Sequence, residues 1–156
     1  MSRLETMSTP ERESWATFIA DGLVFAWFLK ILLANWTSEP GLRTPEDLTS
    51  VYVTLIVITI IYHAVISAVF SAYRRQKGIA SDERDVMIQG QGFRAGYLAL
   101  QLGCGFVLII GLLSFIAGSE YLSPIRIDTP VQFILGLTAV SYVASLIRHG
   151  VILWRY

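Results

Sequence analysis

Residues 52–73 read YVTLIVITIIYHAVISAVFSAY, an apolar run without one acidic or basic residue other than His63. As an α-helix rising about 1.5 Å per residue, the run covers roughly 30 Å, the hydrocarbon thickness of a bilayer. A helix on the surface of a soluble bundle would carry charge every third or fourth position along its wet face. This run carries none, and neither does Phe106 to Leu113.

Outward from that stretch the pattern repeats. Apolar segments of spanning length occupy 15–36, 52–73, 94–117 and 131–154, in a chain of 156 residues that is 54% hydrophobic and 15% charged. The expectation is an all-α integral membrane four-helix bundle forming one domain, 1–156. Aromatic rings suited to the headgroup level bracket the runs: Trp15 and Trp36, Tyr52 and Tyr73, Trp154 and Tyr156. Thr9-Pro10, Thr44-Pro45 and Thr129-Pro130 pair a capping hydroxyl with a proline fit for the first helical position, and Ser81-Asp82-Glu83 starts the third helix with acids.

Basic residues set the predicted orientation. Arg3, Arg12, Arg74, Arg75, Lys77, Arg84, Arg94 and Arg155 lie at the termini and around the middle loop, 74–93, against only Arg43 and Arg126 in the other two connections. The positive-inside rule then puts both termini and that loop in the cytoplasm, for a multi-pass protein of the plasma (inner) membrane. The first run, with Asp21 and Lys30 inside it, is expected to be retained rather than cleaved as a signal peptide. Cys104 is the single cysteine, so no internal disulfide forms.

The middle loop carries Asp82-Glu83-Arg84-Asp85 followed by Ile88. This resembles the loop signature of an uncharacterised family of small four-span prokaryotic membrane proteins, in which an acid-Glu-Arg-acid motif opens the third helix. Gly90, Gln91 and Gly92 stand outside that pattern. The resemblance implies a four-span plan and, for some members, a gene encoded beside a small helix-turn-helix regulator, and it supplies no catalytic residues. Read from the residues themselves, the motif is a helix start with solvated charge, or a docking point for a cytoplasmic protein, with Val86, Met87 and Ile88 beside it. Arg74, Arg75 and Lys77 suit an anionic lipid surface.

Ionisable groups inside the hydrocarbon are costly and therefore paired, turned inward or functional. Asp21, Gln101 and Arg148 fall about 10 Å into the membrane, His149 lies near them, and His63 is at about 15 Å. Ser14, Thr17, Asp21 and Asn35 share one helical stripe, Thr59, His63, Ser67 and Ser71 a second, and Thr138, Ser141, Ser145 and Arg148 a third. Asp21, His63, Gln101, Arg148 and His149 are therefore the candidate intramembrane polar site. One reading makes Asp21 a titrating carboxylate partnered by Arg148 or His149; the other makes the same groups a structural ion pair fixing register. Lys30 lies on the opposite face and is expected to snorkel outward or meet Glu120. Ala64, Ala68 and Ala72, and Gly92, Gly96 and Gly103, offer close backbone approach, within the chain or between copies.

His63 and His149 also raise a haem b held by two imidazoles, although their estimated depths differ by about 6 Å. Two hydrogen-bonded interior histidines are the plainer account. No cysteine or carboxylate set completes a metal site, and no P-loop, His-Glu-x-x-His or Gly-x-Ser-x-Gly motif gives enzymatic chemistry a foothold. Direct nucleic-acid binding is not expected of a chain with formal net charge zero. The first expectation is thus a non-enzymatic accessory or regulatory protein engaging a cytoplasmic partner through Asp82, Glu83, Arg84 and Asp85. The alternatives are a small oligomeric proton-coupled transporter or channel using Asp21, and a bis-histidine haem carrier.

Overall fold

The computed structural model describes residues 7–36, 45–77, 82–116, 127 and 129–156. They form four helices: α1, Thr9–Trp36; α2, Pro45–Lys77; α3, Glu83–Ile116; and α4, Pro130–Arg155. Their lengths of 28, 33, 34 and 26 residues correspond to about 42, 50, 51 and 39 Å, more than a hydrocarbon core requires. All four are long and apolar enough to cross a membrane. Ile60, Leu102, Phe115 and Trp154 lie exposed on their outer faces, an apolar surface that water would not tolerate and lipid does. The chain is a multi-pass membrane protein with the all-α fold expected of it.

The helices run beyond the apolar segments that mark them. Most of the stretch read as a middle loop, 74–93, is helical, because α2 continues to Lys77 and α3 is already formed at Glu83. Charged residues favour that continuation outside hydrocarbon as readily as coil, and Glu83 and Asp85 in the first turn of α3 complement its dipole.

The starts of the helices follow capping chemistry, with one shift. Thr129 caps α4, accepting a hydrogen bond from the Gln132 backbone N–H at 3.2 Å while the Gln132 side chain accepts from the Thr129 N–H at 3.1 Å. At α1 the cap is Ser8 rather than Thr9. Its hydroxyl accepts from the Glu11 N–H at 3.3 Å and its carbonyl from the Arg12 N–H at 3.1 Å. The caps expected of Thr44 and Ser81 lie outside the described residues.

α4 is the central element, with α3 packed along one side, α1 along another, and α2 against α1 with a lighter touch on α4. Phe28, Leu55, Leu135 and Tyr142 form the buried apolar cluster where α1, α2 and α4 meet. The Tyr142 ring stacks on Phe25 at 6.0 Å between centroids and lies tilted 6.4 Å from Phe28. The α3–α4 seam is built on glycine. A Cβ on Gly92 would sit 2.9 Å from the Arg148 carbonyl oxygen, and one on Gly96 2.8 Å from the Arg148 Cβ and 3.1 Å from the Ala144 carbonyl oxygen. Gly92, Gly96 and Gly103 therefore serve a contact within the chain, whereas Ala64, Ala68 and Ala72 lie on the exposed face of α2.

Candidate functional site

Asp21 is the most deeply buried charged side chain among the described residues, 1% exposed, and three helices meet on it. Its Oδ1 accepts a hydrogen bond from the Tyr62 hydroxyl, and the same oxygen lies 3.3 Å from Nε2 of His63. Its Oδ2 accepts from the Ser145 hydroxyl at 2.5 Å. A carboxylate removed from water needs such donors on both oxygens, because an unpartnered charge in low dielectric is too costly to keep.

A second polar tie joins α2 and α4 about one turn away. The Thr59 hydroxyl donates to its own helix, at the Leu55 carbonyl 2.7 Å distant, so the Tyr142 hydroxyl must be the donor in the Thr59–Tyr142 hydrogen bond.

Two hollows meet at His63, and Asp21 lines the first. A cleft of about 290 Å³ runs along α2 from Tyr52 to His63 and is lined from α4 by Thr138, Ser141 and Ser145, with Asp21 in its wall. A cavity of about 260 Å³ continues from His63 toward the end of the bundle that holds both termini, reaching Ser14, Thr17, Ser67, Gln89, Arg148 and His149. His63 is the one residue lining both. At the far end of the cavity Glu13 and Arg74 form an ion pair at 2.9 Å.

The partners of Asp21 are not the ones the helical depths suggest. Arg148 makes no ion pair with it. The guanidinium stands 3.6 Å from the centroid of the Phe93 ring on α3, and its Nε is buried without a hydrogen-bond partner. Ser145, one turn earlier on the same stripe, takes the place beside Asp21. His149 is 7% exposed and its Nδ1 is likewise unpartnered.

Gln101 is not part of the layer. It is exposed on α3 and donates to the Tyr97 hydroxyl one turn back at 2.8 Å. The reason is angular: five positions from Gly96 is about 140° around the helix, away from the seam that faces α4. Gln89, seven positions before Gly96 and so on its face, is the residue by which α3 reaches the cavity. Lys30 is exposed, and Glu120 lies outside the described residues.

Tyr62 and Tyr142 escaped the sequence reading. The signal available was their depth, since a tyrosine at mid-span has no headgroup layer to bond to and its hydroxyl must find an interior acceptor.

Asp82, Glu83 and Arg84 are exposed at the start of α3, beside exposed Val86 and Met87. Asp85 is engaged instead: its Oδ1 accepts from the Tyr156 hydroxyl at 2.8 Å, tying the carboxyl end of the chain to α3. Burial, and then this hydrogen bond, push the Tyr156 hydroxyl up to about 12.

Among the described residues no three His, Cys, Asp or Glu side chains converge to hold a metal ion. A haem between His63 and His149 would require the 260 Å³ cavity to widen and the His63–Asp21 contact to open. Compared with family models, with curated proteins and with solved structures, the chain matches none.

Proposed function

We propose that this protein is a small proton-coupled membrane transporter or channel in which Asp21 and His63 hand protons between the two hollows. The observation that carries the reading is the shared position of His63, which lines both hollows with Nε2 3.3 Å from Asp21. A proton arriving along the cleft neutralises Asp21. From Oδ1 it passes to Nε2 of His63, and the imidazolium so formed releases the proton on Nδ1 into the cavity; the ring then resets its tautomer. Tyr62 and Ser145 keep the carboxylate aimed while it is charged. The excess of arginine and lysine at the termini and around 74–94 supports a topology with that end in the cytoplasm, in a plasma or inner membrane. Each charge crossing 100 mV gains about 2.3 kcal/mol, enough to drive such a relay.

The test is proton flux into liposomes holding the purified protein and a pH dye, driven by a potassium diffusion potential. Wild type is expected to acidify the lumen, and Asp21→Asn, which preserves shape and most of the hydrogen bonding, to reduce the flux to that of empty liposomes. Equal flux from Asp21→Asn and wild type, or none from wild type at any pH between 5 and 8, would sink the proposal.

A second reading rests on Asp82, Glu83 and Arg84, whose exposure beside Val86 and Met87 supports docking of a soluble cytoplasmic partner. It predicts a protein that co-purifies with wild type and is lost from Asp82→Asn/Glu83→Gln. Asp85 is spared in that variant so that its bond from Tyr156 survives.

A further inference from the structure

We infer that the cavity between His63 and the termini end is a binding site for a small oxyanion, a carboxylate or a phosphate, held by Arg148 and His149. The inference goes beyond proton transfer and does not depend on it.

Among the described residues, Arg148 is the charged group lining the cavity that touches no counterion. Glu13 and Arg74 neutralise each other at 2.9 Å, and Asp21 has both oxygens occupied by Tyr62, His63 and Ser145. Arg148 is left with an aromatic face, which attracts its charge but accepts nothing from its Nε–H. His149, more than nine-tenths buried on the cavity wall, is left with an unpartnered Nδ1. A buried Nε–H without an acceptor is expensive, and beside it the adjacent residue lining the same hollow has an unpartnered ring nitrogen, so the pair calls for a hydrogen-bonding ligand that arrives from outside.

The two groups are also held in place. Gly92 and Gly96 bring α3 against the backbone and Cβ of Arg148, so closely that a single methyl would collide with it. The guanidinium stands over the Phe93 ring, and the first atom of its side chain lies in the seam. A guanidinium carries paired N–H groups in the fork that matches two oxygens of a carboxylate or phosphate, and Arg148 lines the cavity. Ser14, Thr17 and Gln89 on the opposite walls add neutral hydrogen-bonding groups for the rest of the ligand. A volume of about 260 Å³ admits a phosphate, a short-chain carboxylate or the headgroup phosphate of a lipid.

The experiment uses the full chain purified in a phosphate-free, non-lipid detergent. Its thermal midpoint is followed while inorganic phosphate, and separately acetate, is titrated at constant ionic strength with chloride. In parallel, native mass spectrometry of protein extracted from phosphatidylglycerol-containing membranes reports any lipid retained one per chain. The expected result is a saturable rise in midpoint with phosphate or acetate, or a retained phospholipid, and the arm that responds identifies the source of the anion. Arg148→Gln is expected to weaken binding at least tenfold. Arg148→Lys keeps the charge without the fork and should weaken it severalfold, whereas Arg155→Gln at the end of α4 should leave it unchanged. Asp21→Asn, which stops flux if the proton relay holds, should retain binding, so the two proposals fail separately. No response in any arm, or equal binding by wild type, Arg148→Lys and Arg148→Gln, overturns the inference.

Discussion

Replacing Gly96 with alanine adds one methyl group at the place where α3 and α4 come closest to Arg148. The new Cβ would lie 2.8 Å from the Arg148 Cβ and 3.1 Å from the Ala144 carbonyl oxygen. Ordinary carbon contacts fall at about 3.5–4.0 Å, so the helices must separate locally by about 1 Å. Neither neighbour is the free end of a flexible side chain; one is backbone and the other is the first atom off it. Overpacking of this kind costs about 1–3 kcal/mol, and in a membrane no hydrophobic gain between helices offsets it. Gly105→Ala is the control, on the same helix, where a Cβ meets nothing within 4 Å. There alanine should stabilise by about 0.5–1 kcal/mol, as it does generally inside a helix. The two variants should thus differ by at least about 1.5 kcal/mol, more than tenfold in the folded-to-unfolded ratio. Denaturation by sodium dodecyl sulfate from mild-detergent micelles, followed by tryptophan fluorescence and circular dichroism, reads the difference. If Gly96→Ala unfolds at the same detergent fraction as Gly105→Ala, the seam is not a tight contact and the positioning of Arg148 by it is wrong.

Two further outcomes follow from the site and its surroundings. Tyr62→Phe removes one charge-assisted donor from Asp21 and leaves Ser145 and His63, so the same denaturation assay should register a loss of about 1.5–3 kcal/mol; no loss would mean the hydroxyl is satisfied elsewhere. At the carboxyl end, the Tyr156 hydroxyl titrates near 12 in the folded chain against 10.0 ordinarily, and only its protonated form donates to Asp85. Because the folded value is the higher one, its contribution is complete below about pH 10 and is lost as the pH rises toward 12. Wild type should therefore outlast Tyr156→Phe up to about pH 10 and converge with it by about pH 12, and a gap independent of pH would count against the bond.

Much of this architecture is legible in the residues. Ser14, Thr17 and Asp21 do share one buried face of α1, because a period of 3.6 leaves no other way to place positions three and four apart. The same arithmetic lines the two hollows with Thr59, His63 and Ser67 from α2 and with Thr138, Ser141, Ser145 and Arg148 from α4. What it cannot supply is the rotation of one helix against another. Gln101 and Gln89 are both glutamines on α3, and only the glycine seam decides that the second faces the cavity and the first does not.

Nor does the arithmetic say which polar groups need a partner on another helix, and here the chemistry of each side chain matters more than its polarity. Thr138 donates to the Ile134 carbonyl at 2.8 Å, Ser141 to the Thr138 carbonyl at 2.7 Å and Thr59 to the Leu55 carbonyl at 2.7 Å, each within its own helix. A hydroxyl one carbon from the backbone meets its need locally and tolerates lipid, protein or water outside it. A carboxylate has no donor of its own, and a tyrosine hydroxyl stands too far from the main chain to reach a carbonyl of its own turn. Asp21, Tyr62 and Tyr142 therefore have to be satisfied across helices, and they are the residues through which α1, α2 and α4 find their mutual rotation. By the same reasoning Arg148 and His149, each with one buried nitrogen that no described residue satisfies, are where the proposed ligand would complete the hydrogen bonding.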